Sequence, residues 1–259
     1  MPTSTVYEIT HNRMFRKLKK ATHLLRNPVL ARGLIFHNIA AAIEHLDVIT
    51  YVRPKHLIDA GANRGQFALA ALSVFPDIRI DCFEPLARPA AALEAWAKTA
   101  SSNIRIHRMA LGAQSGNAQF YVTSRDDSSS LFNPGKAQGE MGISVKAKIM
   151  VPTNRLENVI MSEGISRPCM LKIDVQGGEL EVLKGIGRCA NVIDWIYVEV
   201  SFIELYEHQP LFTEVYSYLT TIGYNLRGVA NCHTDPMKGP TQADVLFCRS
   251  GFAVPGMRT

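Results

Sequence analysis

The chain has 259 residues, 47% of them hydrophobic and 20% charged, an ordinary globular composition that excludes disordered, collagen-like and disulfide-scaffold classes. Its length suits one α/β domain with a small addition, divided here into a helical, basic N-terminal extension over residues 1–50 and a larger domain over residues 51–255. Lys plus Arg exceed Asp plus Glu by 28 to 23, a formal net charge of +5, which allows an anionic substrate, a membrane surface or nucleic acid as partner.

Much of that excess lies in the N-terminal arm, as Arg13, Arg16, Lys17, Lys19, Lys20, Arg26 and Arg32. Met14, Leu18, Leu24 and Leu25 are spaced for one apolar side of a helix, and Pro28 separates it from a second helix. Such an arm caps the sheet edge, or lies peripherally on the acidic head groups of the inner membrane surface. The opening PTSTVYE has no apolar signal core. Residues 34–48 are interrupted by His37, Asn38, Glu44 and His45 and cannot span a bilayer. The five cysteines, Cys82, Cys169, Cys189, Cys232 and Cys248, show no C-x-x-C spacing, as expected for core thiols in a reducing cytoplasm.

From residue 56 short apolar runs alternate with helical segments. Residues 56–60 (HLIDA), 78–83 and 104–110 are predicted strands, and residues 66–75 and 88–99 predicted helices. This alternation requires right-handed crossovers and a parallel sheet. Residues 118–123 and 145–151 alternate like antiparallel strands around a polar loop, 124–143, long enough to be a lid that includes Ser128, Ser129, Ser130 and Leu131. After a short helix over 154–160 the pattern resumes with a strand at 170–174, a helix at 179–185, a strand at 193–200 and a helix at 211–222. Residues 224–229 and 244–249 close the sheet as a hairpin. The fold class is therefore a doubly wound, Rossmann-like α/β sheet.

Chemistry concentrates at strand ends. In LIDAGANRGQF a buried strand delivers Asp59, and Gly61 and Gly65 bracket a tight turn into a helix, where backbone can approach a ligand. A dinucleotide site prefers G-x-G-x-x-G. Here the pattern is D-x-G-x-N-x-G with Asn63 in the turn, and the acid suits a cationic ligand tail better than a pyrophosphate. Glu84 of CFEP ends the next strand about twenty residues on, where a carboxylate can accept both ribose hydroxyls. A nucleoside with a cationic tail describes S-adenosylmethionine. Ala110 and Leu111, after the third strand, are assigned to the same pocket. In LKIDVQGGELEVLKG, Asp174 sits at the end of a parallel strand, and Glu199 of IYVEVSF ends the next one. A carboxylate there is costly without a partner, so the two acids are expected to flank the acceptor.

These segments, with EVSF and the Leu205–Tyr206 pair, resemble the FkbM-type O-methyltransferases over residues 56–250. The resemblance implies a seven-stranded methyltransferase fold and methyl transfer to a hydroxyl, often on a sugar of a glycolipid, polysaccharide or polyketide glycoside. By position it implies that Asp59, Gly61, Asn63, Gly65 and Glu84 hold the cofactor and that Asp174 and Glu199 line the acceptor side. The family commonly has Glu-Gly-Ala where this chain has Gln176-Gly177-Gly178, which removes one carboxylate.

A sugar hydroxyl is a weak nucleophile that needs a base. Asp174 is the first candidate, Glu199 the second, and His208 is a further one in the loop after the fifth strand. His107, within the third strand, belongs to the core or the cofactor side. Asp174 and Glu199 together could also hold Mg²⁺, whereas no His/Cys spacing suits zinc. An NAD(P)-dependent dehydrogenase shares the glycine turn but would carry a hydride-transfer group such as Tyr-x-x-x-Lys. A nucleic-acid methylase of amino groups would carry Asn-Pro-Pro-aromatic where Asp174-Val175-Gln176-Gly177 stands. This argues for a hydroxyl acceptor, which the resemblance implies is a hydroxylated small molecule or glycan, lipid-linked in one variant, with no nucleic acid expected. A non-catalytic S-adenosylmethionine-binding or lipid-surface module is the alternative outside enzymes.

Overall fold

A computed structural model describes Leu24 and residues 27–161 and 164–252 of the chain. The basic residues from Arg13 to Arg26, the helix expected before Pro28 and the membrane contact assigned to the arm lie outside the described residues.

Strand β1 (His56–Ala60) is buried along its whole length and pairs in parallel with β2 (Arg79–Phe83) on one side and β7 (Cys169–Ile173) on the other. Its neighbours explain its composition, since a parallel strand covered on both faces reads as a continuous apolar run. Beyond β2 lies β3 (Ile104–His107). Beyond β7 come β8 (Trp195–Ser201), then β10 (Gly239–Arg249) and β9 (Tyr224–Asp235), giving a seven-stranded sheet of order β3-β2-β1-β7-β8-β10-β9. Only β10 runs against its neighbours on both sides.

Alternate residues of the strands feed two apolar cores. Leu57, Ile80 and Met170 pack with Leu30, Ile49, Leu69, Leu93 and Trp96 of the helices Pro28–His37, Leu46–Val52, Gln66–Val74 and Ala87–Ala100. Ile58, Phe83 and Leu171 pack on the other face with Leu156, Leu183, Val215 and Leu219. Helices thus cover both faces of the sheet. Pro28 opens its helix as the sequence predicts: Asn27 caps it, its Oδ1 accepting from the amides of Val29 and Leu30. No helix among the described residues is long and apolar enough to cross a membrane.

The strand expected at 104–110 divides. β3 ends at His107, and β4 (Ala110–Leu111) pairs instead with β6 (Val145–Asn154), which is antiparallel to β5 (Gly116–Thr123). These three form a separate sheet of order β4-β6-β5. The loop 124–143 is also more structured than its polarity suggests. It folds through a turn at Asp126–Ser128, bridges back from Ser130 to Tyr121, and forms a helix at Lys136–Glu140. The closing hairpin is longer than expected, because β9 and β10 continue past the sheet's apolar rows into an exposed ribbon.

Strand order reverses between β1 and β7, so the chain leaves their carboxyl ends in opposite directions and opens a crevice there. Gly61 is pinned at this point. It adopts φ +77, and a Cβ there would lie 1.9 Å from the Asp174 carbonyl oxygen. Gly61→Ala is therefore expected to cost at least ~2 kcal/mol, or roughly 4–8 °C in Tm, measured by thermal unfolding. An unchanged Tm would mean that β1 and β7 do not abut as described.

Candidate active site

The crevice holds a cleft of about 980 Å³, at the upper end of the range for a single small ligand and large enough for a nucleoside cofactor together with an acceptor. Gly61, Asn63, Glu84, Ala110 and Leu111 line one end, and Asp174 and Glu199 line it farther along the sheet.

At the first end, Glu84 is nearly buried, and its two oxygens accept from the backbone amides of Asn63 (2.9 Å) and Leu86 (2.8 Å). Those bonds fix the carboxylate at the turn and leave each oxygen a lone pair. Burial outweighs them, pushing its pKa up to about 7. Asn63 takes a left-handed conformation at φ 48, and its side-chain Oδ1 is buried without a hydrogen-bond partner. An unsatisfied buried acceptor costs ~1–3 kcal/mol, which a ligand hydroxyl or ammonium would recover. Gln138 Oε1, on the lid side of the same cleft, is a second such atom.

The floor between the two ends is Lys172, which the sequence analysis passed over. Its Nζ lies 3.1 Å from Asp59 Oδ1, 3.7 Å from Asp174 Oδ2 and 3.2 Å from the Gly61 carbonyl oxygen, to which it donates. Burial opposes its charge, but Asp59 and Asp174 outweigh that and hold its pKa well above the ordinary lysine value.

At the far end Gln176, left-handed at φ 61, bridges the acids. Its Nε2 donates to Asp174 Oδ1 (2.7 Å) and Glu199 Oε2 (3.0 Å), while its Oε1 accepts from the Tyr206 hydroxyl (2.8 Å). Gln242 Nε2 donates to the same Glu199 oxygen at 2.7 Å. Burial, followed by the charges of Asp174, Asp244 and Glu179, raises Glu199 well above the usual carboxylate range. The Mg²⁺ expected between Asp174 and Glu199 does not suit this donor set, because amide N–H groups fill the place of a cation. Among the described residues no group of three or more His, Cys, Asp or Glu side chains is placed to share a metal ion.

Three candidates are not brought to the cleft wall. Asp59 is fully buried behind it and faces Lys172. The constraint on Gly65 is helix packing, since a Cβ there would lie 2.6 Å from Leu93 and 3.2 Å from the Trp96 ring. His208 is exposed outside the cleft, in a left-handed turn held by the Glu204 carboxylate; the inward side chains of that loop are Leu205, Tyr206 and Gln209. His107 stacks on Phe83 and bonds Asp81. Burial opposes the charge of Asp81, but hydrogen bonds from His107 and His56 hold its carboxyl well below the usual range.

Of the loop 124–143, Ser128, Ser129 and Leu131 line the cleft, Ser130 Oγ donates to the Gln176 backbone carbonyl (2.6 Å), and Tyr206 shares its hydroxyl hydrogen between Gln176 Oε1 and the Ser128 carbonyl (3.0 Å). His45, Asn231, Gln242 and Asp244, which no local sequence pattern marks as site residues, also line the cleft. Only Asp244 falls within a predicted strand, the apolar run at 244–249.

A family model described as the methyltransferase FkbM domain matches residues 59–226. The chain is 28% identical over 161 residues to the 2-O-methyltransferase NoeI of Sinorhizobium fredii, covering 59% of this chain and 66% of that protein. It is 26% identical over 198 residues to the 31-O-demethyl-FK506 methyltransferase FkbM of Streptomyces tacrolimicus, covering 68% and 75%. It is 25% identical over 144 residues to the hexuronic acid methyltransferase AglP of Haloferax volcanii, covering 56% and 55%. The matches thus span just under two thirds of the length of NoeI and about half that of AglP.

Glu179 supplies a test of the site's electrostatics. Burial pushes its pKa up to about 7, although its Oε1 accepts from the amides of Val175 and Gly177. The folded state then holds a proton that the unfolded chain releases near 4.5, so this group's contribution to stability falls as pH rises from about 5 to 7. Glu179→Gln keeps the accepting oxygen and removes the charge. Urea unfolding is expected to show a variant more stable than the parent at pH 8, with a smaller loss between pH 6 and pH 8. An unaltered pH slope would contradict the burial of an ionisable group there.

Proposed function

This chain belongs to the FkbM methyltransferase domain family, and from that premise we propose that it transfers a methyl group from S-adenosylmethionine to a hydroxyl of a sugar, on a glycolipid, polysaccharide or glycosylated natural product. The observation that carries the proposal is the lining of the cleft. Acidic side chains outnumber basic ones, with Glu84 at one end and Asp174, Asp244 and the protonated Glu199 at the other, and the unsatisfied oxygens of Asn63 and Gln138 face the same space. That surface attracts a cationic cofactor and groups rich in hydrogen-bond donors, and it repels a pyrophosphate. The nicotinamide alternative is disfavoured on the same ground.

When bound, S-adenosylmethionine supplies an electrophilic methyl carbon on a positively charged sulfur. Glu84 accepts the ribose hydroxyls, and Asn63 Oδ1 takes a donor that it otherwise lacks. Ala110 and Leu111 give the base an apolar wall. Asp174, and Glu199 in its protonated form, hold the acceptor hydroxyls in line, which is the larger part of catalysis for a displacement of this kind. The lid 124–143 excludes water. Carboxylates and amides of this density suit a neutral or amino sugar. AglP is named for a hexuronic acid, and this cleft would repel that charge near the reacting atoms.

Calorimetric titration tests the cofactor. S-Adenosylhomocysteine is expected to bind in the micromolar range, at least ~10-fold more weakly to Glu84→Ala, the loss of a hydrogen-bonded charge being worth ~1.5–3 kcal/mol. Because Glu84 titrates near pH 7 and binds in its charged form, affinity should weaken by about tenfold between pH 8 and pH 6. Tight NAD⁺ binding, or indifference to Glu84→Ala, would contradict the proposal.

A further inference from the structure

Residues 40–45, assigned by sequence to an extension outside the chemistry, form part of the cleft wall through Ala40, Ala42, Glu44 and His45. His45 ends a short turn, Ile43–His45, on the cleft wall. Its Nδ1 lies 3.0 Å from the Tyr197 hydroxyl, 3.1 Å from Asn231 Nδ2 and 3.5 Å from Asp244 Oδ2. The ring packs against Phe67, centroids 5.2 Å apart, and edge-on to Tyr197 at 5.6 Å. Strands β8, β9 and β10 each contribute one of the Nδ1 neighbours, so the ring has a fixed orientation while its side chain stays 17% exposed at the cleft.

Asn231 Nδ2 has two hydrogens for three neighbours, Asp244 Oδ2 at 2.9 Å, His45 Nδ1 at 3.1 Å and the Tyr197 oxygen at 3.3 Å, and the Tyr197 hydroxyl bonds Asp244. With the Asn231 hydrogens on Asp244 and the Tyr197 oxygen, Nδ1 carries the ring hydrogen and Nε2 the lone pair, and this is the arrangement a base at the cleft requires. Asp174, by contrast, is held by Gln176 and Lys172, and its remaining lone pairs suit it to accept and orient an acceptor hydroxyl.

We propose that His45, oriented by Tyr197, Asn231 and Asp244, is the general base of this site and removes the acceptor's proton. The proposal rests on the methyltransferase function argued above. As the acceptor oxygen bonds the methyl carbon, its O–H bond breaks and the proton passes to Nε2; the sulfur–methyl bond breaks, and its electron pair stays on sulfur as S-adenosylhomocysteine leaves. Burial lowers the pKa of His45 below the ordinary histidine value, and the charge of Lys172 acts in the same sense. Asp244, Glu44 and Asp174 pull the other way without overcoming it. The imidazole is accordingly neutral at pH 7 and ready to accept a proton.

The test has two arms. In ligand-free protein labelled with ¹⁵N-histidine, with His45→Gln as the assignment control, His45 is expected as the Nδ1–H tautomer titrating below pH 6.5. The Nε2–H tautomer, or titration above pH 7, overturns the proposal whether or not an acceptor is known. In turnover, His45→Gln is expected to lower kcat by ~10²–10⁴ and to abolish the fall in kcat on the acid side of the profile, with S-adenosylhomocysteine affinity within twofold of the parent. Added imidazole should restore part of the rate to His45→Ala. A kcat within threefold of the parent, or an acid limb that persists in His45→Gln, removes His45 as the base and leaves the methyltransferase function standing. Absence of S-adenosylhomocysteine binding in the parent protein is the separate result that overturns that function itself.

Discussion

Lys172 places one buried ammonium where β1 and β7 abut, and the crevice is organised around it. It pairs with Asp59 at the end of β1, reaches Asp174 just past the end of β7, and ties down the Gly61 carbonyl in the turn between strand and helix. Burying the Asp59 carboxylate at a strand end, with Asp174 beside it, would be prohibitive without that charge. Its presence lets Asp59 sit fully inside the sheet, while Asp174 stays at the cleft. The turn that carries Asn63 and the end of β7 that carries Asp174 are therefore fixed by the same interaction.

From that centre the cleft separates into two chemically different ends. The Glu84 end is built from backbone: amides of Asn63 and Leu86 hold the carboxylate, so its position depends on the loop path and not on neighbouring side chains. The far end is built from side chains, with Gln176 and Gln242 supplying N–H groups to Asp174 and Glu199. A glutamate at position 176 would add a third carboxylate to this group and call for protons or a cation. The amide needs neither and also fastens Tyr206, while the backbone carbonyl of the same residue accepts from Ser130 of the loop 124–143.

Much of this was legible in the sequence because strand-end residues announce themselves locally. An apolar run followed by Asp59-Ala-Gly, by Glu84-Pro or by Asp174-Val-Gln has to put polar atoms at the mouth of a parallel sheet. What lay hidden depends on register and on which way a side chain points. Lys172 looks like a solvated lysine inside LKID until β7 is laid beside β1. His45, Asn231 and Gln242 come from an N-terminal turn and the final hairpin, and only the seven-stranded order brings them together. His208 was read into the cleft from its position after Tyr206, yet a left-handed turn points it outward. Asp59 was read toward the ligand because its buried partner could not be seen. The loop 124–143 reads as polar by composition, whereas Ser128, Ser129 and Ser130 are buried, with Ser130 and the Ser128 carbonyl bonded to Gln176 and Tyr206, far away in sequence.

Transfer of tritium from S-adenosyl-L-[methyl-³H]methionine to matched sets of neutral, amino and uronic glycosides would test the central claim most directly. The account predicts label in a methyl ether of a neutral or amino sugar, with the uronic counterpart a poorer acceptor. Label confined to methyl esters of the uronic acids or to amines, with no ether formed, would contradict hydroxyl transfer in this acid-lined cleft.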